Sequence, residues 1–379
     1  MTSILLIISI LLLSIYCLLL IYYCIGWAAV PNYSPLNPKP IVSITIIIPA
    51  RNEEKNLPGL LDSIEHQTYS KEFFQVLVID DHSTDNTANI ASQYPFVTCL
   101  SLKDFIGNDS LNSYKKKAIE IGIENSVGEL IVTTDADCIV PKRWLETIAA
   151  FYLEKKAAFI VMPVAINCSA KPIEIFQALD FMSLQGVTAA SVHKKMHSMC
   201  NGANLAYSRH AFEAVNGFYG IDNIASGDDM LLMHKIALQY PDAVHYLKSK
   251  NVIVHTEPVH SIKAFFNQRI RWASKADKYD DKRIIAVLLL IYLLNVLLLV
   301  MPVLSVVSGQ WSVFACSILL IAIKTIIELI FLYPVAKFFG KQALLWAFPL
   351  AQPFHIIYTV IAGWLGKFGS YQWKERKVQ

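Results

Sequence analysis

Two carboxylates one residue apart, Asp135 and Asp137, follow the apolar, β-branched run that begins at Leu130. Such a run is typical of a buried strand, and side chains at positions i and i+2 of an extended segment point to the same side. Two neighbouring carboxylates repel each other unless a cation lies between them. Mg²⁺ or Mn²⁺, bound also by a substrate phosphate, would be such a cation. The alternative is that one of these acids caps a following helix.

A second pair of acids, Asp80 and Asp81, also ends an apolar run. Their oxygens can accept hydrogen bonds from a base N–H or from ribose hydroxyls. An earlier apolar run leads directly into Pro49, Ala50 and a charged cluster that contains Glu53. Taken alone, that cluster is more typical of a strand followed by a capped helix.

Three consecutive cations, Lys115, Lys116 and Lys117, lie between these two acidic segments. An ammonium group is a suitable partner for a diphosphate, although three lysines are also typical of the solvated start of a helix.

The elements that must position these residues alternate along the chain. Strand-like and helix-like stretches follow one another at 41–49, 54–67, 74–79, 84–94, 97–100, 113–124, 129–134, 142–153 and 158–166. This alternation predicts βαβ units and an α/β fold with a mostly parallel sheet. Ligands of such sheets bind beyond the carboxyl ends of the strands. Because both acidic pairs follow strand-like runs, the pattern favours a binding site over helix capping.

The composition predicts a membrane protein. Hydrophobic residues make up 54% of the 379 residues, more than a purely soluble fold needs. The uncharged stretch 4–30 exceeds the roughly 20 residues that cross a bilayer. It lacks the basic start of a signal peptide, so we expect a retained anchor. Three later stretches, 284–307, 311–336 and 344–365, are also long enough to span.

The basic residues predict the orientation. No Lys or Arg precedes the first anchor, whereas the soluble part is rich in both, so we expect the soluble part to be cytoplasmic. Three full spans would then place the C-terminus outside, against its basic residues Lys367, Lys374, Arg376 and Lys377. Pro349, Pro353 and Gly363 suggest that the last stretch is broken, and a re-entrant or interfacial segment would remove the conflict.

Other features narrow the classes of function. The stretches 172–190 and 261–272 have helical spacing and either lie along a membrane surface or pack as ordinary helices. Lys324 and Glu328 can pair on one helix face. The net charge of +3, with no basic patch interleaved with aromatics, does not indicate nucleic-acid binding. Seven scattered cysteines indicate neither disulfides nor a zinc site.

In order and spacing, these motifs resemble glycosyltransferase family 2, the inverting GT-A enzymes, and especially its membrane-bound members. The likeness extends over roughly 41–275 through three more segments: Cys200-Asn201-Gly202-Ala203-Asn204, Ser226-Gly227-Asp228-Asp229 and Gln268-Arg269-Ile270-Arg271-Trp272. Two departures are Asp228, where the family usually has Glu, and Tyr114, where a Gly is usual.

The resemblance implies a role for each matching residue. Pro49, Ala50 and Glu53 would line the nucleotide, and Asp81, with Asp80 beside it, would read the base. Lys115 or Lys116 would lie near the diphosphate. Asp135 would meet the ribose and, with Asp137, the metal, Mg²⁺ or Mn²⁺. Asp229, next to Asp228, would be the catalytic base, and Gln268, Arg271 and Trp272 would hold the diphosphate and close the acceptor end. The ring of Trp272 is equally suited to anchor the chain at a membrane interface.

We therefore expect an integral protein of the cell (inner) membrane that transfers a sugar from a nucleotide sugar to a lipid or lipid-linked acceptor. The expected donor is a UDP-sugar. The predicted parts are an anchor at 1–30, a Pro-rich linker at 31–40, a cytoplasmic GT-A domain with interfacial helices at 41–283, and a C-terminal membrane region with a basic tail at 284–379. The alternatives are a processive polysaccharide synthase of the same family and an inactive membrane scaffold that keeps the fold.

Overall fold

The structure is a computed structural model that describes residues 2–35, 41–107, 111–224, 227–274, 281–368, 371–373 and 376–378. Part of the predicted linker (36–40), Ser226 and Lys374 lie outside these ranges. The elements in the first half are α1 (Thr2–Ala29), β1 (Ile44–Ala50), α2 (Leu57–Glu65), β2 (Phe74–Asp80), α3 (Thr87–Ser92), β3 (Val97–Ser101), α4 (Leu102–Ile106), α5 (Tyr114–Glu124), β4 (Leu130–Thr133), β5 (Cys138–Ile139), α6 (Trp144–Lys155), β6 (Phe159–Val161), β7 (Val164–Ile166) and α7 (Pro172–Lys194). The second half has β8 (Leu205–Ser208), α8 (Arg209–Ala214), α9 (Met230–Gln239), β9 (Val244–Tyr246), β10 (Val254–Thr256), α10 (Ile262–Ala273), α11 (Lys282–Val307), α12 (Trp311–Phe339), α13 (Phe348–Phe368), β11 (Tyr371–Trp373) and β12 (Arg376–Val378).

The chain divides into two compact units. One, the sheet unit, comprises Val30–Asn167 and Ser191–Glu257. The other, the helical unit, comprises Met1–Ala29, Cys168–Ala190 and Pro258–Gln379. Most of α7, and all of α10, therefore belong with the long apolar helices, whereas the sequence assigned them to the GT-A domain as interfacial helices. The domain boundaries read from the sequence stay a prediction.

The sheet unit is built on a seven-stranded sheet in the order β3-β2-β1-β4-β8-β6-β9. The pairs β1–β2, β2–β3, β1–β4 and β6–β9 are parallel, and only β8 runs antiparallel to its neighbours β4 and β6. A smaller sheet joins β5, β10 and β7. The predicted α/β fold with a mostly parallel sheet is confirmed.

The central strand β1 explains why this sheet is buried on both faces. Ile46, Ile47 and Ile48 are fully buried, as expected for a continuous apolar strand covered by helices on either side. Gly128, just before β4, lets that strand start close to β1, because a Cβ there would lie 2.3 Å from the backbone nitrogen of Thr45. From there β4 pairs with β1, from Leu130 opposite Ile44 to Thr133 opposite Ile47.

Four helices in the described residues are long and apolar enough to cross a membrane: Ser3–Ala29, Lys282–Val307, Trp311–Phe339 and Gln342–Phe368. Inside the helical unit, the predicted pair of Lys324 and Glu328 is confirmed, with Nζ 2.7 Å from Oε1.

The expectation that prolines and a glycine break the last apolar stretch is wrong. The helix α13 is continuous through Pro353 and Gly363, and a 3₁₀ turn at Gln342–Ala347 precedes it. Pro349 is compatible with the helix because the first turn needs no N–H donor from it. The irregular backbone therefore lies before the prolines.

Candidate active site at the carboxyl edge of the sheet

The parallel strands end together, and their register places the first acids. Ala50 pairs with Asp80 at the ends of β1 and β2. One residue further, the N–H of Asp81 donates to the carbonyl oxygen of Ala50 over 2.7 Å. In β4 the last pair is Thr133 with Ile47, so Asp135 projects beyond the same edge. Both acidic segments therefore lie at the carboxyl edge of the sheet.

Asp81 is almost fully buried and held from two sides. Arg51 donates through Nη1 to its carbonyl oxygen at 3.0 Å, and the ring nitrogen Nδ1 of His82 lies 3.0 Å from Oδ1. Asp80 beside it accepts from the N–H of Ser83 through Oδ2, while Oδ1 is buried without a hydrogen-bond partner among the described residues. An unsatisfied buried carboxylate oxygen is costly, so this atom is a candidate acceptor for a ligand donor.

Glu53 lies where β1 leads into α2. Its N–H donates to Thr87 Oγ1 at 2.8 Å, and its Oε2 accepts from Asn56 Nδ2 at 2.8 Å. These bonds join the turn after β1 to the start of α3, which packs beside β2. Pro49, Ala50 and Glu53 thus belong to the same edge as the Asp80–Asp81 pair.

Lys115, in the first turn of α5, is the cation that reaches the acids. Its Nζ lies 2.7 Å from Asp135 Oδ1 and 3.3 Å from Asp228 Oδ2. Burial alone would lower the pKa of Lys115, but the nearby carboxylates of Asp135, Asp228 and Asp229 outweigh it and raise that pKa above its usual value. Lys115 therefore remains an ammonium ion between acids from two distant parts of the chain.

The neighbouring lysines have different partners. Lys116 is 2% exposed, and its ammonium donates to the carbonyl oxygens of Ile221 and Ile224 at 2.6 and 2.7 Å. Lys117 pairs with Glu120 one turn further along α5. Of the two lysines that the sequence left open, the structure brings Lys115 to the carboxylates.

Asp229 is held by backbone donors at the start of α9. Its Oδ1 accepts from its neighbour Met230 N–H at 2.7 Å, and its Oδ2 accepts from the N–H of Gly202 at 3.1 Å. Each oxygen keeps a second lone pair for a further donor. The backbone of Gly202, which the sequence marked only as part of a motif, thus helps to orient Asp229.

Asp135 and Asp137 are half-buried, and the thiol of Cys138 lies 3.7 Å from Asp137 Oδ1. Burial, together with Asp137 and Asp135, raises the pKa of the Cys138 thiol, so it stays protonated. Over the described ranges, no three His, Cys, Asp or Glu side chains are grouped as metal ligands.

The predicted residues Gln268, Arg271 and Trp272 lie on α10 in the helical unit. Between them, Arg269 is 4% exposed, and its Nη2 lies 2.7 Å from Asp180 Oδ2 on α7. Its guanidinium carbon also lies 4.1 Å from the centroid of the Trp272 ring. The sequence indicates no role for Arg269, because a buried ion pair between distant helices leaves no local pattern.

A mostly parallel sheet with acids at its carboxyl edge is compatible with a domain of the GT-A type, and the fold comparison supports this class. The structure resembles the mannosyltransferase PcManGT from Pyrobaculum calidifontis, solved in complex with GDP-Man and Mn²⁺, with a TM-score of 0.53. The sequence identity is 19%, and the match covers 93% of this chain and 99% of that one.

Residues 45–215 match the family model described as glycosyl transferase family 2. This part of the chain is therefore similar to a glycosyltransferase family 2 domain, and the motifs at 226–229 and 268–272 lie beyond the matched residues.

Two sequence relatives carry glycosyltransferase names. Glycosyltransferase AglE of Haloferax volcanii is 35% identical over 103 residues, which are 27% of this chain and 33% of AglE. The 4,4'-diaponeurosporenoate glycosyltransferase of Staphylococcus haemolyticus is 31% identical over 167 residues, which are 44% of this chain and 42% of the relative. The match therefore spans less than half the length of either relative.

Proposed function

We propose that the protein is a membrane-bound inverting glycosyltransferase that moves a sugar from a nucleotide sugar, with UDP-sugars first among the candidates, to a lipid or lipid-linked acceptor. The observation that carries this proposal is the position of Lys115. Its ammonium lies between Asp135 and Asp228, beside Asp229, at the carboxyl edge of a family 2 domain. A lysine ammonium among several acids at that edge suits a donor that carries both ribose hydroxyls and a diphosphate.

Asp229 is the general base in this proposal. A carboxylate oxygen of Asp229 takes the proton of the acceptor hydroxyl while the hydroxyl oxygen forms a bond to the anomeric carbon. The bond from the anomeric carbon to the diphosphate oxygen breaks on the opposite face, so the nucleoside diphosphate leaves with the electron pair and the configuration inverts. The N–H groups of Gly202 and Met230 fix the plane of the carboxylate and leave one lone pair on each oxygen for the hydroxyl.

The nucleotide is read at the other end of the same edge. Asp81, fixed by Arg51 and His82, and the unpartnered Oδ1 of Asp80 supply acceptors for a base N–H. Pro49, Ala50 and Glu53 line the turn beside them. Lys115 then supplies positive charge for the diphosphate, which develops more negative charge as it leaves.

A divalent cation fits the acids that are present. Asp135 and Asp137 offer carboxylate oxygens, which Mg²⁺ and Mn²⁺ prefer, and a diphosphate would complete the ligands. These two residues would hold the ion, which when bound stabilises charge on the leaving diphosphate.

We propose that α1, α11 and α12 each cross the membrane. Residues 340–368 then form a re-entrant segment, which enters the membrane and leaves it on the same side. The helices α11 and α12 pack against each other and are separated only by residues 308–310, so we infer that α12 ends on the side where α11 begins. Gln352 then lies 3.3 Å from Lys324, near the middle of α12. Gly366 is so close to Ala273 in α10, ahead of α11, that a Cβ on it would lie 2.6 Å from the Ala273 Cβ.

Residues 340–368 would thus reach the middle of the membrane near Gln352 and return near Gly366 to the side on which α11 begins. The C-terminus and the catalytic domain are then both cytoplasmic, in agreement with the basic residues. A C-terminal cysteine in a cysteine-free variant tests this course. We expect labelling by an impermeant maleimide only after the cells are opened, and labelling of intact cells would contradict it.

A lipid or lipid-linked acceptor is proposed because the spanning helices would hold the catalytic domain at the membrane. A catalytic domain held at the bilayer by three spans works where lipid-linked substrates are present. One sequence relative, the 4,4'-diaponeurosporenoate glycosyltransferase, has an apolar acceptor in its name, and this supports the proposal by similarity only. A processive synthase of the same family remains the second candidate, and a ladder of product lengths, instead of single addition, would identify it.

Purified full-length protein with radiolabelled nucleotide sugars and a membrane lipid extract tests the proposal. We expect Asp229→Asn to lower transfer by about 10²- to 10⁴-fold, the range typical of a lost general base, while donor binding persists. Asp242→Asn is the matched control, because that carboxylate is 90% exposed and lies outside the site. Undiminished transfer by Asp229→Asn would refute the base assignment. No transfer with any donor by the wild type would favour an inactive scaffold.

A further inference from the structure

Lys115 connects the two functional halves of the proposed site. Its Nζ is 2.7 Å from Asp135, which follows β4, and 3.3 Å from Asp228, in the segment that leads into α9. Asp135 belongs to the acids proposed to hold a divalent cation, and Asp228 adjoins the proposed base. One ammonium group thus faces both carboxylates and compensates only part of their charge.

The contact between Lys115 and Asp228 is closely surrounded by neighbouring groups. Gly202 lies against it, and a Cβ at that position would be 3.1 Å from Lys115 Nζ and 3.3 Å from Asp228 Oδ2. The N–H of the same glycine donates to Asp229 Oδ2. The Lys115 side chain is 24% exposed and that of Asp228 11%. The contact is therefore largely enclosed, unlike a surface ion pair that solvent screens.

We propose that Lys115 is an internal counter-ion that competes with a divalent cation for Asp135, and that donor binding transfers its ammonium from Asp135 to the diphosphate. This inference rests on the proposed function. Lys115 must release Asp135 before that carboxylate can coordinate a cation, so the protein alone holds a divalent cation weakly. The diphosphate offers Lys115 a new anionic partner, so cation and donor bind cooperatively.

The charge balance gives the sign of the effect. With Lys115 present, the acids Asp135, Asp228 and Asp229 share one positive charge. Without it, their mutual repulsion is uncompensated, and a divalent cation gains more free energy by binding among them. A neutral residue at position 115 should therefore strengthen cation binding to the nucleotide-free protein, and it should also remove the cooperativity between cation and donor.

Lys115→Met tests this inference, because methionine keeps most of the length of the side chain and removes its charge. Full-length protein in detergent, freed of metal with a chelator, is titrated with Mn²⁺, and free Mn²⁺ is followed by electron paramagnetic resonance. We expect Lys115→Met to bind Mn²⁺ about tenfold more tightly than the wild type in the absence of nucleotide. Adding UDP should tighten Mn²⁺ binding in the wild type and much less in the variant.

Two controls locate the effect. Lys117→Met removes a lysine two residues away that pairs with Glu120, and its Mn²⁺ affinity should equal that of the wild type. Adding Asp135→Asn to Lys115→Met should abolish the gain. Unchanged or weaker Mn²⁺ binding by Lys115→Met, or a gain that survives Asp135→Asn, would overturn the inference.

Sugar transfer by the wild type in excess chelator separates this inference from the proposed function. If transfer continues there and no variant binds Mn²⁺, the counter-ion exchange fails while the transferase proposal stands. If the wild type binds Mn²⁺ and transfers no sugar, the proposed function fails, and the affinity comparison still decides the role of Lys115.

Discussion

The guanidinium carbon of Arg269 lies 4.1 Å from the centroid of the Trp272 ring, three residues further along α10. The same guanidinium forms a buried ion pair with Asp180 on α7, and Asp180 also accepts from the hydroxyl of Tyr358 on α13 at 2.6 Å. One face of the Trp272 ring is therefore occupied by a cation that three helices of the same unit hold in place.

We predict that Arg269→Met destabilises the full-length protein by about 3 kcal/mol, because it leaves the Asp180 charge buried and unpaired. Thermal unfolding in detergent measures this loss. The double variant Arg269→Met with Asp180→Asn should recover part of it, since neither charge is then left alone. Strictly additive losses in the two single variants and the double variant would refute the coupling.

This pair illustrates what the sequence can and cannot predict. The acids at the strand ends were predictable, because an apolar run that ends in Asp80 or Asp135 combines strand periodicity with a rule about sheet edges. The partner of Arg269 was not, because Asp180 is far away in sequence and the ion pair depends on how helices pack. The same limit applies to Gly202, whose importance lies in the close approach of Lys115 and Asp228.

The choice between Lys115 and Lys116 shows a second limit. Adjacent residues on a helix point about 100° apart, so only one of them can face the acids. The sequence does not define the rotation of α5 closely enough to say which. In the structure Lys115 faces the carboxylates, and Lys116 points to the loop that contains Ile221 and Ile224.

That loop gives a second prediction. Lys116→Met should lower the free energy of unfolding by about 2 kcal/mol, because two carbonyl oxygens lose their buried donor. Transfer should also fall, since this loop precedes Asp228 and Asp229 in the chain. Lys117→Met, whose partner Glu120 is on the helix surface, is the control and should change neither quantity. Stability equal to that of the control would show that Lys116 does not hold the loop.

A third prediction concerns the space beside the proposed base. In Gly202→Ala the new Cβ would crowd Lys115 Nζ at 3.1 Å and Asp228 Oδ2 at 3.3 Å, so the ion pair must shift. We expect transfer to fall by about tenfold, equivalent to about 1.4 kcal/mol, with little change in thermal stability. Gly59→Ala is the matched control, because its Cβ would meet only the flexible end of Ile139. Equal activities of the two variants would argue against a tightly enclosed site.

A polar network inside the helical unit joins α1 to α12 and α13, so α1 has a role beyond anchoring. Glu328 on α12 accepts from the hydroxyl of Tyr16 on α1 at 2.5 Å, pairs with Lys324 at 2.7 Å, and accepts from the amide of Gln352 on α13. Lys324 is 1% exposed and Glu328 8%, so each depends on its partners to satisfy its charge.

Two substitutions should therefore differ in severity. Glu328→Gln leaves the Lys324 charge buried without a counter-ion and should cost about 3 kcal/mol or more, visible as a large fall in the melting temperature of the detergent-solubilised chain. Tyr16→Phe removes one hydrogen bond between helices and should cost about 1 kcal/mol. Tyr22→Phe is the control on the same helix, because that side chain is 38% exposed. If Tyr16→Phe melts at the same temperature as Tyr22→Phe, the hydroxyl of Tyr16 does not join α1 to the network, and α1 is held by apolar contacts alone.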